Sequence, residues 1–213
     1  MNGNLTELVF VLDRSGSMAH LEEDTIGGFN RMIAQQRGGP GDARVTVVLF
    51  DAQYEVLYDG VKIEDVPPMT NKQYYARGLT ALLDAVGKTI DDVGERLSAM
   101  PEEERPGKVV FVITTDGMEN ASQSYSLEKV KAMVEHQKSK YAWKFLFFGA
   151  GIDAVAEASD IGITADRAMR VSATSAGIEE SYSCMADFIT DFRESPRKKL
   201  FENLKMEKKN DRS

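Results

Sequence analysis

Val9-Phe10-Val11-Leu12-Asp13-Arg14-Ser15-Gly16-Ser17-Met18 is the stretch around which the chain is organised. An apolar run from Leu8 to Leu12 ends in an acid, and two hydroxyls follow at alternate positions. A strand apolar on both faces reads as a buried parallel strand. Its carboxyl end then carries Asp13, Ser15 and Ser17, and in open α/β sheets ligands bind at that end. All three are oxygen donors, with no Cys beside them, which favours a hard cation such as Mg²⁺ over zinc or copper. One carboxylate and two neutral hydroxyls leave such an ion under-neutralised and attractive to a further anion. Gly16 is expected to let the backbone turn tightly enough for both hydroxyls to face one point. From this loop alone, metal binding and simple capping of the next helix by Ser15 or Ser17 both remain open.

The 213 residues suit one domain, and 42% hydrophobic content is enough for a substantial core. No stretch approaches the roughly 20 apolar residues of a membrane span. The first residues lack a basic region followed by an apolar one, so no signal peptide is expected. A single cysteine, Cys184, excludes an internal disulfide and fits a reducing, cytoplasmic setting. Net charge is −8 but uneven. Eight Lys/Arg against four Asp/Glu give residues 193–213 a net +4, which leaves residues 1–192 at −12. An acidic body argues against nucleic acid as a partner and suits a protein that recruits a cation.

Working outward, strand one is expected over about Glu7–Asp13. A helix follows over about Glu22–Gln36, with Ile26, Phe29 and Ile33 on one side and Gly38-Gly39-Pro40-Gly41 ending it. Arg44–Asp51 reads as a second buried strand, and Tyr54–Tyr58 as an edge strand folded back beside it. Residues 61–79 contain Pro67-Pro68 and read as an irregular loop, and long loops in compact domains are often functional. A helix is expected over Ala81–Ala99, a third buried strand over Lys108–Thr115, a helix over Ser126–Lys138 capped by Ser126, and a strand over Trp143–Phe148. A short helix (Asp153–Ser159), a short strand (Ala168–Val171) and a final helix (Ser175–Asp191) complete the series. Cys184 is expected in the core. The charged tail, partly helical through Leu200, Phe201 and Leu204, is expected to dock loosely. Alternating apolar strands and helices predict an α/β fold, a doubly wound, mostly parallel sheet with helices on both faces and one antiparallel edge strand.

Three positions at strand ends or helix starts now offer oxygen ligands: Asp13-x-Ser15-x-Ser17, Thr80 in Gly78-Leu79-Thr80, and Asp116 in Thr114-Thr115-Asp116-Gly117. In these motifs and their order the sequence resembles the von Willebrand factor A (VWA) family over about residues 5–190. The resemblance implies a Rossmann-like VWA fold over residues 1–192 with a basic tail over 193–213. It also implies a metal-ion-dependent adhesion site (MIDAS) in which Asp13, Ser15, Ser17, Thr80 and Asp116 hold Mg²⁺ (or Mn²⁺) directly or through water. A protein partner would supply a Glu or Asp carboxylate as the last ligand. A unit-charge pair at 4 Å is worth ~4 kcal/mol at an effective dielectric of ~20, so losing Asp13 should hurt more than losing one hydroxyl. Taken singly, Thr80 also reads as a helix cap and Asp116 as a turn acid.

Other residues near these motifs read as structural: Arg14 and Met18 as solvated loop side chains, Glu119 and Asn120 beside the site rim, Asp51 as a partner of nearby loop amides. His20 and His136 have no second ligand at metal spacing. The function expected is a cytoplasmic, non-enzymatic, metal-dependent protein-binding module of stand-alone bacterial or phage type, with no membrane or nucleic-acid partner. The competing reading is a Mg²⁺-dependent phosphoryl-transfer enzyme with Asp13 as nucleophile. Such chemistry usually wants a second Asp two residues on, where this chain has Ser15. No phosphate-binding glycine motif is present.

Overall fold

A computed structural model describes residues 1–195. The strands are β1 (Asn2–Asp13), β2 (Asp42–Phe50), β3 (Tyr54–Lys62), β4 (Pro106–Thr115), β5 (Lys144–Ala150) and β6 (Ala168–Val171). The helices are α1 (Glu22–Arg37), α2 (Leu82–Ala99), α3 (Leu127–Tyr141), α4 (Ala154–Asp160) and α5 (Ser175–Glu194). The strands form one six-stranded sheet in the order β3-β2-β1-β4-β5-β6. Every neighbouring pair is parallel except β2 with β3, so β3 is the antiparallel edge strand the sequence predicts.

β1 sits at the centre because its side chains alternate between two apolar layers. Leu8, Phe10 and Leu12 pack with Phe29 and Met32 of α1 and with Tyr182, Met185 and Ile189 of α5. Val9 and Val11 pack with Val86 and Ile90 of α2, Val130 and Val134 of α3, and Ala154 and Ala158 of α4. Both faces of the sheet are therefore covered, and an uninterrupted apolar run is the pattern such a strand needs. Strand order reverses on either side of β1, so a crevice opens between the carboxyl ends of β1 and β4. Asp13 ends β1 and Asp116 follows β4.

Several boundaries differ from expectation. β1 begins at Asn2 rather than Glu7, because the amide of Asn2 donates to the carbonyl of Arg105 (2.8 Å) and pairing supplies what the polar Asn-Gly-Asn composition does not. β3 runs on to Lys62 with register shifts against β2. The final helix extends to Glu194, and Arg193, expected to open the tail, is buried and donates to the carbonyls of Gln36 and Gly41. The rest of the expected tail, Leu200, Phe201 and Leu204 included, lies outside the described residues.

Three side chains are not where the sequence puts them. Cys184 is exposed, not core. Arg14 and Met18 are buried, not solvated: Arg14 is ion-paired, and Met18 joins the apolar layer of Leu12 and Leu21. Ser126 does cap α3, accepting from the amide of Lys129, but Leu127 stands exposed beside it.

The Pro-containing loop is irregular from Val66 to Ala81 after a short 3-10 turn at Ile63–Asp65, yet it is firmly built in. Val66, Met69 and Tyr74 are buried. Asn30 of α1 brackets Met69, accepting from its amide (2.8 Å) and donating to its carbonyl (2.9 Å). The Tyr74 hydroxyl reaches back to donate to the carbonyl of Asp13, so this loop and the end of β1 form one unit.

Candidate metal centre

The site is assembled from three chain segments. Asp13 is fully buried. Its Oδ1 accepts from the amide of Ser15 (2.6 Å) and its Oδ2 from the hydroxyl of Thr115 (2.5 Å), which ties the end of β1 to the end of β4. Ser17 donates to Asp116 Oδ1 (2.6 Å), and Ser15 Oγ lies 3.1 Å from Ser17 Oγ. Ser17 has one proton and gives it to Asp116, so Ser15 is the donor in the second contact.

Thr80 arrives from the second loop. Gly16 donates to the carbonyl of Gly78 (3.1 Å), Arg77 to that of Arg14 (2.8 Å), and Ala81 to that of Asp51 (3.0 Å). Asn120 completes the frame: its Oδ1 accepts from the amide of Thr80 (2.9 Å) and its own amide donates to the carbonyl of Thr80 (3.0 Å). Gly117 shows how closely the loops meet. A Cβ there would lie 2.9 Å from Thr80 Oγ1 and 3.6 Å from Ser17 Oγ. All five residues singled out from sequence thus converge. Gly16, however, keeps a negative φ, and a Cβ there would stand 3.4 Å from the carbonyl oxygen of Gly78, an ordinary contact, so the turn does not draw on glycine's freedom.

The capping alternatives are not realised. Ser15 stands at the N-cap of the 3-10 turn Gly16–Leu21 without a side-chain cap bond, and the N-cap of α2 is Ala81, not Thr80. Glu119 serves α2 instead, accepting from the amide of Leu83 (2.9 Å) as well as from Ala121 and Ser122.

The electrostatics are those of two carboxylates short of positive charge. Burial pushes the Asp13 carboxyl up to about 6, against the opposing pull of the Thr115 and Ser15 hydrogen bonds, and the charge of Asp116 adds to the rise. Asp116 is also raised, again through burial, with the Ser17 hydroxyl countering it. Among the described residues no group of three or more His, Cys, Asp or Glu side chains could hold a metal. A cation here must be held largely by hydroxyls. Two carboxylates and three hydroxyls, all oxygen, fit a hard divalent ion that retains some of its water.

Sequence reasoning missed the support beneath these ligands. Arg14 Nε donates to Asp51 Oδ2 (3.0 Å), Arg77 Nε to the same oxygen (2.8 Å), and the amide of Gln53 to Asp51 Oδ1 (2.7 Å). Arg14 Nη2 also lies 2.7 Å from Glu55 Oε2, an ion pair outside hydrogen-bond angles. Asp51 was readable as an acceptor for loop amides, which it is. Its use as a counter-ion for two arginines had no local signal.

Gly117→Ala is expected to weaken divalent-cation binding by roughly tenfold or more, the scale seen when the support of a ligand is disturbed. Unfolding temperature should move little, since the new methyl meets hydroxyl oxygens rather than core. Calorimetric titration beside a melting curve checks both.

The fold and the convergence of these loops define a class of protein. The family model for the von Willebrand factor type A domain matches residues 7–183, and the chain belongs to that family. Solved structures agree in fold. Proximal thread matrix protein 1 from the mussel byssus, in a form with a zinc-occupied MIDAS motif, has a TM-score of 0.61 at 16% identity, covering 87% of this chain and 46% of that one. The pilus adhesin SpaC from Lactobacillus rhamnosus GG, in its open conformation, has a TM-score of 0.66 at 11% identity, covering 88% and 30%. BatB from Bacteroides thetaiotaomicron has a TM-score of 0.52 at 14% identity, covering 89% and 100%. The chain spans about half the length of the mussel protein. A comparison with curated proteins found no match. Among the described residues no helix is long and apolar enough to cross a membrane.

Proposed function

We propose that Asp13, Ser15, Ser17, Thr80 and Asp116 form an intact metal-ion-dependent adhesion site for Mg²⁺ or Mn²⁺, and that the domain binds a protein partner through a Glu or Asp carboxylate. The observation that carries this reading is the chain of contacts from Ser15 through Ser17 to Asp116, with Thr80 Oγ1 against Gly117, in a place where neither Ser15 nor Thr80 caps a helix. A bound divalent ion would supply the positive charge that Asp13 and Asp116 lack, and a coordination position open to an outside acid. The cytoplasmic setting, the bacterial or phage origin and the absence of a nucleic-acid role belong to the same proposal. Their support is the lone cysteine, the family resemblance and the acidic body.

The phosphoryl-transfer reading fares worse on one specific point. Asp13 is fully buried, and both its oxygens already accept hydrogen bonds from Ser15 and Thr115. Each oxygen keeps a second lone pair that a small cation can meet, but attack on a phosphoryl group needs a carboxylate open to a substrate-sized group, and this one has no exposed surface.

The test is titration of the full chain with Mg²⁺ and Mn²⁺, with Zn²⁺ as competitor, followed by capture of partners from source-cell extract. Wild type should bind the ion and release captured protein on chelation; Asp13→Ala should do neither. Capture insensitive to chelator would end the proposal.

A further inference from the structure

The rim of the site carries apolar side chains that the metal does not explain. Seven large hydrophobic residues are exposed among the described residues, and three of them lie on the loops that bring Thr80 and Asp116 to the site. Leu79 is 57% exposed, Met118 66% and Tyr75 40%. Leu79 directly precedes Thr80, and Met118 follows Asp116 by two residues.

These side chains are held on a fixed backbone while facing solvent. Leu79 sits between Gly78, whose carbonyl accepts from Gly16, and Thr80, whose backbone is bracketed by Asn120. Met118 sits between Gly117, whose amide donates to Thr115 Oγ1, and Glu119, whose carboxylate is committed to amides of the same loop and of α2. The hydroxyl of Tyr75 accepts from Arg77 Nη1 (3.1 Å), and the guanidinium of Arg77 lies 5.3 Å from its ring. Apolar groups on such a backbone lose little entropy when covered, and clusters of them beside a polar site mark interaction surfaces.

Resting on the metal-site reading above, we infer that the partner's acidic residue is immediately flanked by a bulky apolar side chain, which packs on Leu79 and Met118 while the carboxylate meets the metal. The charges at the rim support this over a run of acids. Arg77 at the rim is already paired with Asp51, the His20 ring is tied through Nδ1 to the carbonyl of Ser17, and Glu119 lies next to Met118. A second acid beside the first would meet committed cations and the negative charge of Glu119. Packing against Leu79 and Met118 buries area that water otherwise covers, worth about tenfold or more in affinity.

The experiment uses a displayed peptide library with a fixed central Glu and randomised neighbours. It is selected on the full chain in Mg²⁺ and eluted with chelator. Enrichment of Leu, Ile, Met or Phe beside the Glu is expected, with capture falling about tenfold or more on a Leu79→Ser/Met118→Ser variant. That variant should bind Mg²⁺ as wild type does and melt at the same temperature. Chelator-eluted peptides without an apolar preference, no enrichment at all on Mg²⁺-loaded protein, or undiminished capture by the variant would each overturn the inference. Failure of wild type to bind Mg²⁺ would instead strike the underlying metal-site reading, and a calorimetric titration of wild type with Mg²⁺ tells the two apart.

Discussion

In metal-free buffer at pH 7–8, Asp13→Asn should be more stable than wild type; with saturating Mg²⁺ the order should reverse. Asp13 is fully buried and its carboxyl is raised from 3.8 to about 6 in the folded chain. A carboxyl raised on folding contributes stability that is complete below its unfolded value and lost as pH climbs through its folded value. At neutral pH the metal-free domain therefore carries a penalty of roughly 3 kcal/mol, since each tenfold change in proton affinity is worth about 1.4 kcal/mol. Asparagine escapes that penalty without orphaning its neighbours. Its Oδ1 can accept from Ser15, and the Thr115 hydroxyl has the carbonyl of Gly117 at 3.0 Å as a second acceptor. Some of the gain is lost to imperfect pairing, so about 1–2 kcal/mol should remain. The deficit of wild type should shrink in acid, as pH falls from the folded value of about 6 toward the unfolded 3.8 and the buried carboxyl takes up its proton. Binding of Mg²⁺ to the folded state alone stabilises by mass action, about 2.7 kcal/mol at one hundred times the dissociation constant, and Asp13→Asn should gain none of it. Urea unfolding of both proteins across this pH range, in chelator and in Mg²⁺, reads every part of the pattern. Equal stabilities in chelator at pH 8, or a Mg²⁺ response retained in Asp13→Asn, would contradict it.

The placement of these residues was largely readable in the sequence. Asp13, Ser15 and Ser17 sit within five residues, directly after a strand whose burial is announced by its uninterrupted apolar run. Thr80 and Asp116 are remote, but each stands at a strand or helix boundary marked by local composition, and the fold places such boundaries together. The mostly parallel sheet and its edge strand were legible for a related reason: strands apolar on both faces demand helices on both sides. Other features had no local expression. Cys184 precedes Met185 by one position, and one residue is about 100° around a helix, enough to turn a side chain from core to solvent. Asn2-Gly3-Asn4 reads as loop by composition and becomes strand because Arg105 and Asp42 lie beside it. The 3-10 turn at Gly16–Leu21 also had no signal separable from the helix that follows. The largest gap was Arg14. An arginine between an acid and a serine in a loop suggests solvent, and its counter-ion lies 37 residues away, just past the end of the next strand.

Removing that arginine should be among the most destabilising single changes available. Arg14 is completely buried, its Nε bonded to Asp51, and Asp51 is buried with it. Breaking a buried ion pair by deleting one partner costs about 3–5 kcal/mol, because the other charge stays behind without compensation. Arg77 remains on Asp51 Oδ2 and softens the loss, so Arg14→Met, which keeps the apolar stem, should fall near the lower end, about 3 kcal/mol. For a domain of this size that is a fall of roughly 6–12 °C in unfolding temperature. Asp51→Leu should be worse, since it leaves the buried Arg14 and its neighbour Arg77 to share the half-exposed Glu55. The double variant Arg14→Met/Asp51→Leu should recover part of the deficit, because an apolar pair of similar volume leaves no buried charge unpaired. Stability and metal binding should then separate. Backbone contacts from Ala81 to Asp51 and from Arg77 to Arg14 survive all three substitutions, so the double variant should bind Mg²⁺ better than either single variant relative to its stability. Thermal melts and Mg²⁺ titrations of the three variants beside wild type check both. If instead Arg14→Met melts within a degree or two of wild type, the arginine is a passenger in the loop, and the joining of the Ser15–Ser17 turn to the Thr80 loop must rest on those backbone contacts alone.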